Sequence, residues 1–293
     1  NITLDGVNFD CTGITTGNTS KGVYLARIEN LVVRNCQFIN FPRHAIYAAL
    51  LETFDISHNY FLHPGKVRWS RGVPGGYGDW ILSNDGVREG SAIHALHLHY
   101  GVIAGNRIID TWQLGIFIWG SLTVETARDS ANSYDINITG NYINNSRDNG
   151  IRLQPENLTT ADYRPEQVRN ISITGNTVVN TNGNAFRING AYLSIVGNTI
   201  RSTVSESGSP IMISGVEHCV VSGNVMDAGP TPGRGIACRP HDDTNRGVSV
   251  RNLTISNNVM RGFAAGISLY SGGGNYTEHF EDVVISDNIV TGG

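Results

Sequence analysis

The residues best suited to chemistry sit in a few short stretches. In AIHALHLHYG, strand alternation would put His97 and His99 on one face, with His94 an odd number of places away. A neutral imidazole there could act as a base, or two could hold a metal. No matched carboxylate accompanies them, and a packed core or wall position is the plainer use of such histidines. The stretch KVRWSRGVPGGYGDW gathers Lys66, Arg68, Trp69, Arg71, Tyr77 and Asp79. Basic groups among aromatics suit an acidic polymer, although long loops also serve simply to cover apolar surface. In GIACRPHDDTNRG, Arg239, His241, Asp242 and Asp243 leave a strand together, as a solvated turn or as a reactive cluster.

What must position these groups is a repeat. One phrase recurs: apolar, any, apolar, any, small or polar, Asn, any, apolar. It reads FDISHNYF, GVIAGNRI, INITGNYI, ISITGNTV, LSIVGNTI, CVVSGNVM, LTISNNVM and VVISDNIV. The phrase aligns Asn59, Asn106, Asn141, Asn176, Asn198, Asn224, Asn258 and Asn288. Two earlier copies, ITLDGVNF and LVVRNCQF, carry Val7 and Cys36 in the Asn slot. The spacing between these Asn residues runs from 22 to 47, too uneven for a helical repeat, and the local apolar period is two, as in strands. The shortest spacing suffices for one coil of three short strands and three turns, and the longer ones read as loops inserted on an unchanged coil. Asn at a sharp corner tolerates the left-handed conformation and can bond its counterpart one coil away.

A second phrase follows each first: GVYL, AIYA, AIHA, GIFI, GIRL, AFRI, PIMI, GIAC and GISL. If coils stack as parallel strands about 4.8 Å apart, the Ile, Val and Leu positions build the interior and the alternate ones face out. The outward row is then Tyr24, Tyr47, His94, Phe117, Arg152, Arg187, Met212, Ala237 and Ser268. Two places on come Trp119, Gln154, Asn189, Ser214, Arg239 and Tyr270. Insertions lie on either side of this strand, at 63–90, 120–135, 155–169, 240–248 and 271–282, so it would floor a groove suited to an extended polymer. Stacked Arg152 and Arg187 repel unless an anion lies across them or acidic groups such as Asp148, Glu156 or Asp162 pair with them.

These phrases resemble the pectate-lyase-like superfamily of right-handed parallel β-helices over nearly the whole chain. The resemblance implies an all-β, single-domain solenoid over 1–293 with about nine to ten rungs and inserted loops. The sequence opens and closes on a rung, which leads us to expect a segment of a longer protein lacking one or both end caps. That superfamily includes polysaccharide lyases, glycoside hydrolases, uronan epimerases and phage tailspikes, with some adhesins and structural repeats. Alginate C5-epimerases carry Asp-Pro-His-Asp after a comparable strand. Pro240, His241 and Asp242 match its last three residues, while Arg239 stands where the first Asp belongs and the preceding Tyr is absent.

Three functional classes compete. Elimination from, or C5 epimerisation of, a uronic-acid polymer needs a base and cationic groups. Lys66, His94, Arg152, Arg187, His241 and Asp242 are the catalytic candidates, with Arg68, Trp69, Phe117, Trp119, Gln154, Glu156, Asn189, Arg239 and Tyr270 binding substrate. Hydrolysis, as in a glycosidase or a tailspike depolymerase, needs two carboxyl groups, from Asp79, Glu156, Asp162, Asp242 and Asp243. A tailspike, adhesin or structural segment would bind without turnover. Net charge of −4 gives no footprint for nucleic acid, and no apolar run is long enough to cross a bilayer. The expected partner is a polysaccharide. The oligomeric state would be a monomer or, if tailspike-like, a homotrimer, and the location extracellular, cell-surface or virion-associated. No cofactor or metal site is indicated, with Ca2+ left open. Cys11, Cys36, Cys219 and Cys238 have apolar neighbours and no metal-ligand spacing, so they read as buried thiols.

Overall fold

The computed structural model describes residues 1–12, 22–65, 90–120, 132–155, 165–201, 209–229, 233–240, 249–270 and 279–292. Lys66, Arg68, Trp69, Glu156, His241 and Asp242 lie outside these, as do Arg71, Tyr77, Asp79, Asp162 and Asp243. The described chain is almost entirely strand, in sheets of 14 and 10 strands that pair in parallel. It is a right-handed parallel β-helix of three faces. The 10 short strands from Asn8–Asp10 to Ile289–Thr291 form one face and mark the rungs. The larger sheet carries the other two, a floor face built from the second phrases and a middle face built from the first.

In several coils one long strand supplies both of these faces. Val23–Arg34, Ile46–Ser57 and Ile93–Ala104 bend at Arg27, Leu50 and His97, whose φ values are 57, 55 and 52°. A left-handed residue turns the strand without ending its hydrogen bonding and resets the alternation of faces. His97 and His99 therefore do not share a face: His97 is buried at the bend, while His99 stands outward, half-buried. Elsewhere the two faces are separate strands, as in Ile116–Gly120 and Ser133–Thr139, and the chain between them lies outside the described residues.

The inward positions repeat as columns. Phe9, Phe38 and Phe61 stack with ring centroids 5.0 and 4.9 Å apart. Ile108, Ile143, Val178, Ile200, Met226 and Met260 continue the column, all buried. Each such side chain contributes roughly 1.5–3 kcal/mol by leaving water. The thiols of Cys36, Cys219 and Cys238 are buried with this core and Cys11 is half-buried; burial pushes the Cys219 thiol up to about 12.

The Asn ladder runs unbroken from Asn59 to Asn288, though not in the conformation its composition suggests. The left-handed residue is the one before each ladder Asn: His58, Gly105, Gly140, Gly175, Gly197, Gly223, Asn257 and Asp287. That shift leaves the Asn amide free to bond in both directions. Asn176 Nδ2 donates to Asn198 Oδ1 at 3.0 Å and to the Ile138 carbonyl at 2.9 Å. Its Oδ1 accepts from Asn141 N and Asn141 Nδ2, both at 2.9 Å. Where Cys36 holds the slot, Sγ–H points to the Leu4 carbonyl at 3.5 Å and the Arg34 carbonyl at 3.2 Å, and its backbone N–H still donates to Asn59 Oδ1 at 2.9 Å.

Candidate functional site

The outward row expected on the floor face exists, residue for residue. Parallel pairing aligns Tyr24 with Tyr47, Tyr47 with His94, His94 with Phe117, Phe117 with Arg152, and Arg152 with Arg187. It continues through Met212 and Ala237 to Ser268. Beside it, Trp119 pairs with Gln154 and Ser214 with Arg239, while Asn189 sits at a register irregularity between Ile188 and Gly190.

Three zones follow one another along this floor. The first is an aromatic column. Tyr24, 57% exposed, stacks on Tyr47 at 5.4 Å, and Tyr47 stacks on His94 at 5.0 Å. Burial, with the neighbouring Tyr24, holds the Tyr47 hydroxyl above its usual pKa, which keeps it a hydrogen-bond donor. His94 is only 7% exposed, held by Tyr47, by His44 at 4.4 Å and by the Phe117 edge at 4.9 Å. His44 Nδ1 accepts the Ser91 N–H at 3.3 Å, which fixes the proton on Nε2 in the neutral ring. As built, His94 is a packing piece of the wall, and a role in proton transfer would need its neighbours to part.

At Phe117 the column turns. Its ring stands at 79° to His94 and at 13° to Trp119, with centroids 6.0 Å apart, so the two rings form a second aromatic surface across the first. Trp119 Nε1 is buried with no hydrogen-bond partner among the described residues, an unsatisfied donor in the floor. The next zone is cationic. The Arg152 guanidinium lies 5.6 Å from the Phe117 ring centre, and Arg187 is its in-register neighbour, one strand spacing of about 4.8 Å further on. Gln154 flanks the pair, half-buried, and Asn189 is buried.

The third zone is closed. Tyr270 folds back so that its hydroxyl reaches Met212 Sδ at 3.9 Å, and the Arg234 guanidinium covers the Tyr270 ring at 4.6 Å. Met212, Ser214 and Ala237 are buried beneath this end, and Ser214 Oγ has no hydrogen-bond partner among the described residues. Arg239, in the same row, is half-buried. Tyr270 therefore ends the open floor rather than extending it. Sequence reasoning missed this fold-back, and also Arg234, which stands before its strand's apolar phrase.

Among the described residues neither floor row holds an Asp or Glu, and no group of three His, Cys, Asp or Glu side chains could hold a metal ion. The described chain stops and resumes at both edges of the floor: at 12/22, 65/90, 201/209 and 229/233 before its strands, and at 120/132, 155/165, 240/249 and 270/279 after them. Every inserted segment thus departs from a rim of this one face.

The sequence matches the family model for the right-handed β-helix region over residues 15–200. No curated protein matches. Among solved structures, PfbA, a surface adhesin of Streptococcus pneumoniae, superposes with a TM-score of 0.62 at 13% identity over 91% of this chain and 60% of that one. A second PfbA structure gives 0.52 at 11% identity over 92% of this chain and 68% of that one. A tailspike protein of E. coli bacteriophage HK620, solved in complex with a pentasaccharide, gives 0.45 at 13% identity over 96% of this chain and 60% of that one. The chain thus spans 60% of the first PfbA structure, and at these identities the likeness is one of fold.

Proposed function

We propose a function from one fixed premise: this chain belongs to the right-handed β-helix family. Its floor binds an extended polysaccharide laid along the solenoid axis. Sugar units stack against the Phe117 and Trp119 surface, and acidic groups are held at Arg152 and Arg187. The observation that carries this reading is the in-register floor row, which passes from aromatic to cationic within one rung and is rimmed on both sides by insertions. Such a row repeats at the strand spacing of about 4.8 Å, close to the rise of one sugar in an extended glycan. Fork-shaped guanidinium groups match carboxylates or sulfates on successive units. The unsatisfied Trp119 indole N–H suits a sugar hydroxyl.

The reaction we assign is β-elimination from, or C5 epimerisation of, a uronic-acid polymer. Arg152 and Arg187 neutralise the uronate carboxylate, which acidifies the C5 proton and stabilises the enolate-like state left when a base removes it. In elimination the electron pair forms the C4–C5 double bond as the C4–O bond breaks and the leaving oxygen is protonated. In epimerisation C5 is reprotonated from the opposite face. Lys66, His241 and Asp242 remain candidates for proton transfer, with Arg68, Trp69 and Glu156 as further binding groups. A protein with this task would work outside the cell, at a cell or virion surface.

The test is incubation with alginate, pectate and glycosaminoglycans, following absorbance near ~230–235 nm from an unsaturated uronate and the epimer ratio by NMR. Arg187→Ala should weaken polymer binding or turnover by roughly tenfold or more, the loss of one charge-assisted hydrogen bond. Reducing ends without that absorbance would replace elimination with hydrolysis. Binding without products would leave a glycan receptor. Normal activity with a lowered melting temperature in Arg187→Ala would overturn the floor assignment.

A further inference from the structure

A second outward row runs along the middle face, one residue beyond His99, Tyr134, Arg169, Ala191, Glu217, Arg251 and Glu281. The paired residues on either side place Tyr100, Asp135, Asn170, Tyr192, His218, Asn252 and Asp282 in one line. Every member is left-handed, with φ between 47 and 57°. Asp135, Asn170, Asn252 and Asp282 are what this backbone favours, because a short polar side chain tolerates the conformation. Tyr100 and Tyr192 are not. They are bulky residues in a strained region, and they are exposed, at 55 and 53%, so the core gains little from them. Strain kept at an exposed aromatic is the pattern of a recognition surface.

The ring geometry agrees. His99 and Tyr134 stack between neighbouring rungs at 4.2 Å, so their planes cross the solenoid axis. Tyr100 stands at 88° to Tyr134 and 79° to His99, which turns its plane along the axis. The Arg169 guanidinium covers the Tyr134 ring at 4.6 Å. One and two rungs on, Asn170 Nδ2 donates to Asp135 Oδ1 at 3.0 Å, leaving outward lone pairs for hydroxyls. Tyr192, three rungs or about 14 Å from Tyr100, adds a second aromatic to the line, its ring stacked on His218 at 4.7 Å.

We propose that this strip is a second glycan site, separate from the floor, that takes a neutral linear polysaccharide with one sugar face on Tyr100 and hydroxyls on Asp135 and Asn170. Aromatic platform and carboxylate–amide pair are the chemistry of uncharged sugar rings and not of an acidic polymer, which Asp135 would repel. The site would hold the protein on a glycan surface whatever the floor does.

Isothermal titration with cellohexaose, mannohexaose and xylohexaose tests it on the whole chain. At least one should bind. Tyr100→Phe should keep that binding within a few-fold, and Tyr100→Asn should weaken it at least tenfold. Because Asn suits the backbone better, the melting temperature of Tyr100→Asn should stay level or rise, an opposition of signs that a purely structural role would not produce. Wild-type binding to none of the three would overturn the proposal. Unchanged affinity in Tyr100→Asn would do so too, as would loss in Arg187→Ala in place of Tyr100→Asn.

Discussion

The Asn corner and the floor row are both columns of side chains stacked one per rung, yet they are filled by opposite rules. From Asn59 to Asn288 the corner repeats one residue, because each amide completes the hydrogen bonding of the one before it and any other group breaks two links. Over the same rungs the floor changes at almost every step, from Tyr and His through Phe and Arg to Met and Ala. A position under the fold's control converges on the residue that suits its neighbours in the same column. A position facing a ligand is free of that demand and varies with what lies opposite it.

The sharpest way to break this comparison is to remove a corner amide. Asn176 is fully buried, and Asn176→Leu takes the Oδ1 acceptor from Asn141 N and Nδ2 and the Nδ2 donor from the Ile138 carbonyl, while the backbone N–H at 176 can still donate to Asn198 Oδ1. A loss of roughly 1–3 kcal/mol in chemical denaturation is expected, with glycan affinity at the floor unchanged wherever the variant is folded. An unaltered melt would mean that the ladder does not govern its column. Arg187→Ala is the converse change: a drop in binding of roughly tenfold, about 1.4 kcal/mol, with stability moved far less. If both variants shifted stability and binding together, the two columns would not be distinct in kind.

A milder change tests whether the corner rule extends to the rung that departs from it. Cys36 Sγ already donates towards the Leu4 carbonyl, the position equivalent to the Val33 carbonyl that Asn59 Nδ2 reaches at 2.8 Å. Cys36→Asn should therefore be accommodated, with stability within about 1 kcal/mol of the parent by denaturant titration, since the amide replaces a weak sulfur donor by a strong one. A loss as large as that of Asn176→Leu would show that the first rungs follow a different packing.

The same contrast explains what could be read ahead of the structure. The columns were legible because Asn and the period of two recur whatever the loop length, and so the floor order from Tyr24 to Ser268 followed from counting alone. The left-handed bends were not. At Arg27, Leu50 and His97 they fall on residues with no turn signature, because the bend is imposed by the coil that must close around the core. Once such a bend resets the alternation, parity arguments fail beyond it, which is why His97 and His99 separate and why the line from Tyr100 to Tyr192 went unseen. The fold-back of Tyr270 was hidden for another reason: its contact with Met212 spans 58 residues and belongs to no repeat. Six of the chemical candidates, Lys66, Arg68, Trp69, Glu156, His241 and Asp242, sit on the insertions, outside the described residues.

The smallest expected effect concerns the edge between the two outward rows. Burial, partly offset by a hydrogen bond to the Asn132 backbone, lowers the His99 pKa below that of a free imidazole. Its Nε2 is buried with no hydrogen-bond partner among the described residues. The folded state thus favours neutral His99, and the unfolded chain binds the proton more readily. Stability from this group is complete above the unfolded value of about 6.5 and is lost as pH falls from there towards the lower folded pKa. His99→Gln should flatten the dependence of the melting temperature on pH between about 7 and 5, without changing the part below about 4.5 where carboxylates titrate. A wild-type melt that is level across the upper window, or a slope that survives in His99→Gln, would show that the imidazole pays no penalty for charging. The row of tyrosines beside it would then be tuned by shape alone.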